Sequence, residues 1–400
     1  MSTALTGYVV EAMLALQLGV RALWHALGLS PEVLGQPAWP FAQRLAAEAL
    51  WWDPGHARRV ALTGLCLAAS ASALLLAFAH VLVQALRRRP TGRWTWGLVA
   101  VVIGLLLLAP WPAPQLLWAP AAPTSLHHNP LPFTPQHIVQ GQRAFAQHCA
   151  QCHGSDARGE GPLAAQLPQW PPDLTRGLVW KRLEGELFAH IRHGMHDVRS
   201  GRETMPGIAT TVLPDDALWA VLHYLQAQAA GQTLRATGVW ERPVRLPQLA
   251  LDCRQGHARH SDQLQGLPVL LALPTPGVSA PVDPRYVTVG LDARDAADAD
   301  CLVQDPDALP ALAVLLGLDP QATAGQRLLT DRQGWLRARA IAGQGDWSED
   351  DLVCRSDTRS SPANAPTTAG ANRTMDGLDA LLRGMARDPV QVVRAGFPHR

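Results

Sequence analysis

The stretch His148–Gly154 reads HCAQCHG, and it decides how the middle of this chain folds. Two cysteines separated by two residues lie close together when they end a helix. Their thiols can then add across the two vinyl groups of one haem, and the histidine that follows can bind the iron through an imidazole nitrogen. The motif predicts one covalently attached haem c, held by Cys149 and Cys152, with His153 as an axial ligand of the iron.

Two other kinds of site use cysteine pairs with this spacing. A structural zinc site needs a second pair of ligands at suitable spacing, and the neighbouring sequence offers none. A redox-active dithiol is typical of the start of a helix, whereas this pair follows one. The six cysteines of the chain are too scattered for a disulfide framework. One disulfide can still form among Cys253, Cys301 and Cys354, and the sequence leaves the pairing open.

Helices are predicted on both sides of the motif. Thr134 as N-cap and Pro135 at the first helical position begin a helix that leads into the cysteines. A second helix follows Pro214, with acidic residues in its first turn and an apolar face. A short helix is expected at 184–193 between loops rich in glycine and proline. Residues 134–230 are therefore predicted to form a compact all-α domain, in which the haem supplies part of the core.

The second axial position of the iron needs a ligand or stays open. Met205, in Thr-Met-Pro-Gly, is the favoured candidate, because proline and glycine fix an extended turn that can aim a thioether at the iron. Met195, in His-Gly-Met-His, is a weaker candidate, and a histidine or an open site is also competent. His190, His193 and His196 can bind copper on one helical face. Exposed histidines at a helix end are the commoner arrangement.

Residues 134–230, about a quarter of the chain, resemble the class I cytochrome c family. The resemblance rests on Gly141-x3-Phe145-x3-Cys149-x2-Cys152-His153-Gly154, then Gly159-x-Gly161-Pro162, Met205-Pro206 and Trp219-x4-Tyr224-Leu225. It implies that the first helix packs across the last, with Phe145 near Tyr224. It also implies that the carbonyl of Pro162 accepts a hydrogen bond from the ring N–H of His153, and that Met205 is the distal ligand of the iron.

Three apolar stretches predict a membrane region over residues 1–118 with two or three transmembrane helices. The second stretch, Val60–Leu86, is long enough to span a bilayer, and the third begins near Trp96. The first, about residues 8–28, carries a polar stripe along one helical face, so it either spans with the stripe turned inward or lies in the interface. The stripe consists of Gln17, Arg21 and His25.

The loop between the second and third stretches sets the orientation. Short loops rich in arginine stay in the cytoplasm, and this loop contains Arg87, Arg88, Arg89 and Arg93. Arg58 and Arg59 lie on the other side of the second stretch, but the four-arginine loop outweighs them. The chain is thus expected in a bacterial inner membrane, with everything after Trp118 facing the periplasm.

Residues 119–133 are rich in proline and are expected to form a tether, and residues 240–400 are expected to form an α/β domain. Apolar runs predict strands at 267–274, 286–291 and 326–331. Residues 335–341 are expected to pair with the last of these strands as a hairpin. Helices are predicted at 309–318 and 378–385. Residues 356–374 have the composition of a disordered loop.

This last region resembles thioredoxin-like proteins, including their copper-chaperone branch, in its DCRQGHARHSDQLQG lead-in and its TDRQGWLRAR hairpin. At 274–277, where those proteins carry CxxC, the chain reads Pro-Thr-Pro-Gly. Without those thiols, neither disulfide exchange nor copper binding of the family type is expected.

The sequence therefore predicts a multidomain protein with N-terminal membrane helices, an all-α cytochrome c domain and a thioredoxin-like α/β domain. Its expected function is single-electron transfer in a respiratory chain, between partner proteins that the sequence does not name, and no enzymatic role is expected. One alternative is an oxidase-assembly or copper-handling factor with the haem as redox sensor. Another is an open-site haem catalyst or gas sensor. The net charge of +1 argues against nucleic acid as a partner.

Overall fold

A computed structural model describes residues 3–47, 50, 53–88, 90, 92–176, 179, 182–197, 199–240, 242–256, 258–274, 281–291, 298–341, 343, 346–348, 351–354, 377–390, 392–394 and 397–399. The chain divides into two compact units, Met1–Leu126 and His127–Arg400. The loop predicted to be disordered at 356–374 lies outside the described residues.

The first unit is built from long helices that correspond to the three apolar stretches. These are α1 (Thr3–Ala26), α2 (Pro54–Leu86) and α3 (Arg93–Leu108). The start of α2 is fixed locally, because the carboxylate of Asp53 accepts a hydrogen bond of 3.0 Å from the backbone N–H of His56. Helices α2 and α3 pack along each other, and α1 packs against α2.

One helix in the described part of the chain combines the length and the mean hydropathy needed to cross a membrane. It is the segment Gly55–Leu86 of α2. Helix α3 is apolar but has only 16 residues. Large apolar side chains on α2, including Leu75 and Phe78, are exposed, so this helix turns an apolar surface outward.

The polar stripe of α1 is turned inward, toward the rest of the first unit. The Gln17 amide bonds to the backbone of Leu45, accepting from its N–H at 2.9 Å and donating to its carbonyl at 3.3 Å. The Arg21 guanidinium donates to the carbonyl of Leu126 at 2.6 Å. Nδ1 of His25 lies 3.2 Å from the carbonyl oxygen of Ser30. The stripe therefore faces the protein, and whether α1 spans or lies in the interface stays a prediction.

Short elements close one end of the first unit. They are β1 (Glu32–Val33), β2 (Gln36–Pro37), β3 (Gln43–Leu45), α4 (Pro114–Leu117) and β4 (Trp118–Pro120). Strand β4 pairs antiparallel with β3. The backbone N–H of Trp39 donates to the carbonyl of Pro123 at 2.8 Å, so the first half of the predicted tether is bonded into this unit.

The second unit begins with a helical part. It contains α5 (Pro135–His148), α6 (Ala150–His153), α7 (Glu184–His193), the hairpin β5 (Met195–His196) and β6 (Glu203–Met205), and α8 (Asp215–Thr237). As predicted, Thr134 caps α5, its hydroxyl accepting from the His137 N–H at 3.2 Å. The predicted short helix at 184–193 is present. Helix α8 continues through residue 230, the expected domain boundary, and ends at Thr237.

A mixed sheet with two helices follows. Its strands are β7 (Leu251–Cys253), β8 (Val269–Ala272), β9 (Val287–Gly290), β10 (Cys301–Val303), β11 (Arg327–Thr330) and β12 (Leu336–Ala340), in the order β12-β11-β8-β9-β10-β7. Strands β8, β9 and β10 run parallel, and the other neighbours pair antiparallel. Helices α9 (Ala308–Leu316) and α10 (Gly377–Arg387), then the hairpin β13 (Val392–Arg394) and β14 (Phe397–His399), complete it.

The predicted strands and helices of this part are all found, whereas β7 and β10 were missed because each has only three residues. These two strands carry a disulfide between Cys253 and Cys301, which face each other in the strand register. Cys354 is free and buried, and burial raises the pKa of its thiol to about 11. The pairing that the sequence left open is therefore Cys253 with Cys301.

The helical part and the sheet part pack against each other. A Cβ on Gly231 in α8 would collide with the carbonyl of Val314 in α9, so the two backbones touch. The indole of Trp240 is buried and donates to the carbonyl of Leu315 at 3.3 Å. The backbone N–H of Gln248 donates to the carbonyl of Phe133 at 2.8 Å.

Candidate haem site

The two cysteines and the histidine lie on one turn of helix. Cys149 ends α5, its N–H bonding to the carbonyl of Phe145 at 2.8 Å, and α6 begins at the next residue. The N–H of His153 then donates to the carbonyl of Cys149 at 2.9 Å. Gly154, with φ of +77°, ends the turn in a conformation that glycine adopts most readily. Both thiols are free, as attachment to a haem requires.

Helix α5, which leads into this turn, packs across α8. A Cβ on Gly141 would collide with the carbonyl of Ala220, so the two helices approach at the level of their backbones. One turn later, the rings of Phe145 and Tyr224 lie 5.3 Å apart between centroids. The pKa of Tyr224 is raised to about 12, first by burial and then by nearby Asp156. The helix packing implied by the family resemblance is thus present.

The glycine-rich loop after the motif folds back onto it. The N–H of Gly159 donates to the carbonyl of His153 at 2.7 Å, and that of Gly161 to the carbonyl of Cys152 at 3.1 Å. Gly159 has φ of +85°, and a Cβ there would collide with the carbonyl of Pro171. This loop therefore holds the second cysteine and the histidine through their backbones.

The imidazole of His153 is held in its neutral form. Its pKa is lowered, mainly because burial disfavours the charged ring, and the carbonyl of Pro172 opposes the shift. Its Nδ1 is buried and has no partner at hydrogen-bond distance. Pro162, from which the contact to this ring had been expected, is exposed. The only sequence signal for Pro172 was its place in a Pro-Pro-Asp-Leu run after the glycine loop.

The two candidate methionines face each other across the β5–β6 hairpin. Met205 is half-buried, whereas Met195 is 39% exposed. Gly194, with φ of +77°, leaves no room for a Cβ, which would lie 2.7 Å from the carbonyl oxygen of Met205. The Met-Pro-Gly segment is therefore pressed against the end of α7.

The histidines near α7 do not form a metal site. His193 and His196 are exposed. Across the part of the chain that the structure describes, no cluster of three or more His, Cys, Asp or Glu side chains can hold a metal ion. The copper alternative gains no support here.

The remaining groups fit a haem of the c type. Burial, followed by the charge of Cys152, raises the pKa of Cys149 to about 12, so that side chain is a neutral thiol at physiological pH. Two free thiols can attach such a haem, and a neutral imidazole and a half-buried thioether are ligands that its iron uses. When bound, the haem would supply an iron that exchanges one electron.

Comparison with known proteins agrees with this geometry. Residues 136–225 match the family described as cytochrome C oxidase, cbb3-type, subunit III. This segment is a cytochrome c domain. Domains of this kind bind haem c and take part in electron transfer. The matched residues run from α5 through the cysteine motif, α7 and the methionine hairpin into the first half of α8.

The cytochrome c domain is also similar to part of a curated protein, the cbb3-type cytochrome c oxidase subunit FixP of Rhizobium meliloti (strain 1021). The two are 32% identical over 89 residues, which is 20% of this chain and 28% of FixP. Among solved structures, the reducing HAO-like protein complex of Kuenenia stuttgartiensis is 22% identical, with a TM-score of 0.20, over 32% of this chain and 59% of that one.

Proposed function

We propose that this protein is a membrane-anchored cytochrome with one covalently bound haem c, which transfers single electrons on the periplasmic side of a bacterial inner membrane. The observation that carries the proposal is the turn Cys149–His153, with free thiols and a neutral imidazole, packed on the α5–α8 crossing of a cytochrome c domain. The chain has a single CxxCH, which supports one haem. In this role the protein is an electron carrier rather than an enzyme.

Met205 is proposed as the distal ligand of the iron. It is less exposed than Met195, and the Met-Pro-Gly segment is packed against the end of α7. A thioether ligand favours ferrous iron and a relatively high potential, which suits delivery of electrons to a terminal oxidase. The carbonyl of Pro172 is proposed to orient the His153 ring from the other side.

Three observations support the membrane anchor and its orientation. Helix α2 is long and apolar enough to span, and the arginine-rich loop after it is typical of the cytoplasmic side. The disulfide Cys253–Cys301 needs an oxidising compartment, which the periplasm provides and the cytoplasm does not. The loop and the disulfide both support a periplasmic location for the second unit.

The partner is proposed to be a cbb3-type oxidase or a protein that exchanges electrons with it. This rests on the name of the matched family and of FixP. The C-terminal sheet is proposed to be thioredoxin-like, since two central parallel strands, β8 and β9, are flanked by the antiparallel pair β11 and β12. It lacks the cysteine pair of that family and is assigned no redox chemistry of its own.

Substitution of the paired methionines tests the haem site. Met205→Ala should keep the haem attached, lower its potential, and allow the ferrous protein to bind carbon monoxide, because the thioether is lost. Met195→Ala, its partner across the hairpin, is the matched control and should change neither property. Loss of the sulfur–iron charge-transfer band in the Met195→Ala protein alone would overturn the assignment.

Fusion of alkaline phosphatase tests the orientation. Attached after His128, the enzyme should be active, because that point is proposed to lie in the periplasm. Attached after Arg88, in the arginine-rich loop, it should be inactive. The opposite pattern would defeat the proposed topology while leaving the haem assignment intact.

A further inference from the structure

The end of helix α7 is joined to the segment that carries Met205. The N–H of Ile208 donates to the carbonyl of Ile191 at 3.1 Å. Gly207 lies so close to α7 that a Cβ there would be 2.9 Å from the carbonyl oxygen of Arg192. The methionine and the residues after it therefore run directly against the last turn of α7.

One side chain in that turn, Arg192, ties the segment to a second helix. One guanidinium nitrogen donates to the carbonyl of Ile208 at 2.6 Å, and another donates to the carboxylate of Asp215 at 2.6 Å. Asp215 is in the first turn of α8. The arginine thus bridges the chain just after Met205 and the helix that crosses behind the cysteine motif.

The surroundings of Arg192 make this bridge strong. Its side chain is only 8% exposed, and its guanidinium lies 5.5 Å from the centroid of the Phe188 ring. That ring stacks on Trp219 of α8 with centroids 4.4 Å apart. Hydrogen bonds with a charged partner are stronger than neutral ones, and burial shields them from water. The planar guanidinium also fixes two acceptors at once, which a lysine cannot do.

We propose that Arg192 is a positioning residue for the haem iron's distal ligand. By holding the carbonyl of Ile208 against α8, it keeps the thioether of Met205 in place and keeps other ligands away from the iron. This inference rests on the proposed role of Met205.

The test uses the full-length, haem-loaded protein and compares Arg192→Leu and Arg192→Lys with the parent. The measurements are the sulfur–iron band of the ferric spectrum and the rate of cyanide binding to ferric iron. Cyanide binds only where the methionine has left, so its apparent binding follows the population of that open form. For Arg192→Leu we expect a weaker band and about a tenfold faster rate, equivalent to about 1.4 kcal/mol. Arg192→Lys should restore part of the difference.

Arg182→Gln is the matched control. Arg182 forms an ion pair of 3.2 Å with Glu186, at the opposite end of α7 from the methionine segment. Its loss perturbs the same helix, so it should lower the melting temperature without changing the band or the cyanide rate. Asp215→Asn keeps an oxygen acceptor for the guanidinium but removes the negative charge, so it should change the band and the cyanide rate in the same direction as Arg192→Leu and by less.

Met205→Ala distinguishes a wrong ligand assignment from a wrong positioning role for Arg192. If Met205→Ala leaves the band unchanged, the proposed ligand is wrong, whatever Arg192 does. If Met205→Ala removes the band but Arg192→Leu leaves both band and cyanide rate as in the parent, the positioning role is overturned. Equal effects of Arg192→Leu and Arg182→Gln on the cyanide rate would also overturn it, because a general loss of stability would then explain the result.

Discussion

The cytochrome c domain and the sheet part of the second unit are stabilised in different ways. In the cytochrome c domain, Cys149, Cys152 and His153 are half-buried, and neither thiol forms a disulfide. A domain of that size is expected to depend on its cofactor for part of its core. The sheet part instead closes an apolar core of its own between the strands and α10, and adds a disulfide. One region should therefore depend on the haem and the other should not.

The largest effect is expected when both thiols of the cysteine motif are removed. Cys149→Ala with Cys152→Ala should abolish covalent haem, as measured by haem staining after denaturing electrophoresis, because both thioether positions are lost. Helix content should fall, while a protease-resistant fragment that contains the Cys253–Cys301 disulfide should persist. Haem staining that survives in this variant would contradict the attachment site. Loss of the resistant fragment would show that the sheet part also depends on the haem.

Removal of the disulfide should destabilise the sheet part and leave the cytochrome c domain unchanged. The disulfide closes a loop with a sequence separation of 48 residues, so Cys253→Ser with Cys301→Ser should lower the free energy of unfolding of the sheet part by about 2–4 kcal/mol. The haem spectrum should be unchanged. Reductant is the internal control: it should destabilise the parent to the same extent and leave the double variant unaffected. A shifted haem spectrum in the double variant would argue against independent stabilisation of the two parts.

The contact between the two parts can be weakened at a single glycine. Gly231→Ala places a methyl group against the carbonyl of Val314 and should cost about 1–3 kcal/mol as overpacking. Gly64→Ala in α2 is the matched control, since a Cβ there meets nothing within 4 Å. That substitution should stabilise its helix by up to about 1 kcal/mol through helix propensity alone. The same sign for both substitutions in thermal unfolding would show that α8 and α9 do not pack as described.

The smallest effect concerns pH. The pKa of His223 is lowered, mainly by burial, although the carbonyl of Leu131 opposes this at 2.9 Å from Nε2. The unfolded chain therefore binds a proton more readily than the folded chain. The contribution of His223 to the free energy of unfolding is fully present above about pH 6.5, and it is lost as the pH falls toward the lowered pKa of the folded state. The slope from this one group is at most about 1.4 kcal/mol per pH unit. His223→Gln should flatten the dependence of stability on pH between 7.5 and 5, values chosen to bracket the titration of a free histidine. An unchanged slope would assign the effect to other groups.

Much of this arrangement could be predicted from the sequence because the decisive signals are local. The Thr134 cap and the apolar runs of β8 and β9 each depend on neighbours within a few positions. The features that were missed depend on tertiary contacts instead. Three-residue strands such as β7 exist only beside their partners. Pro172 approaches His153 only because the glycine loop folds back, and Arg192 acquires a role only when α7 meets α8.

The unbroken course of α8 limits how this protein can be taken apart. A fragment ending at residue 230 would stop inside the helix and would lack α9, so the surface of α8 that packs against α9 would be exposed. Transplanting the electron-carrying part into another chain would therefore require the graft to include α9, or to carry polar residues on the α8 surface that α9 covers. Recombination at the apparent boundary should yield insoluble products, so the two parts are expected to be inherited together.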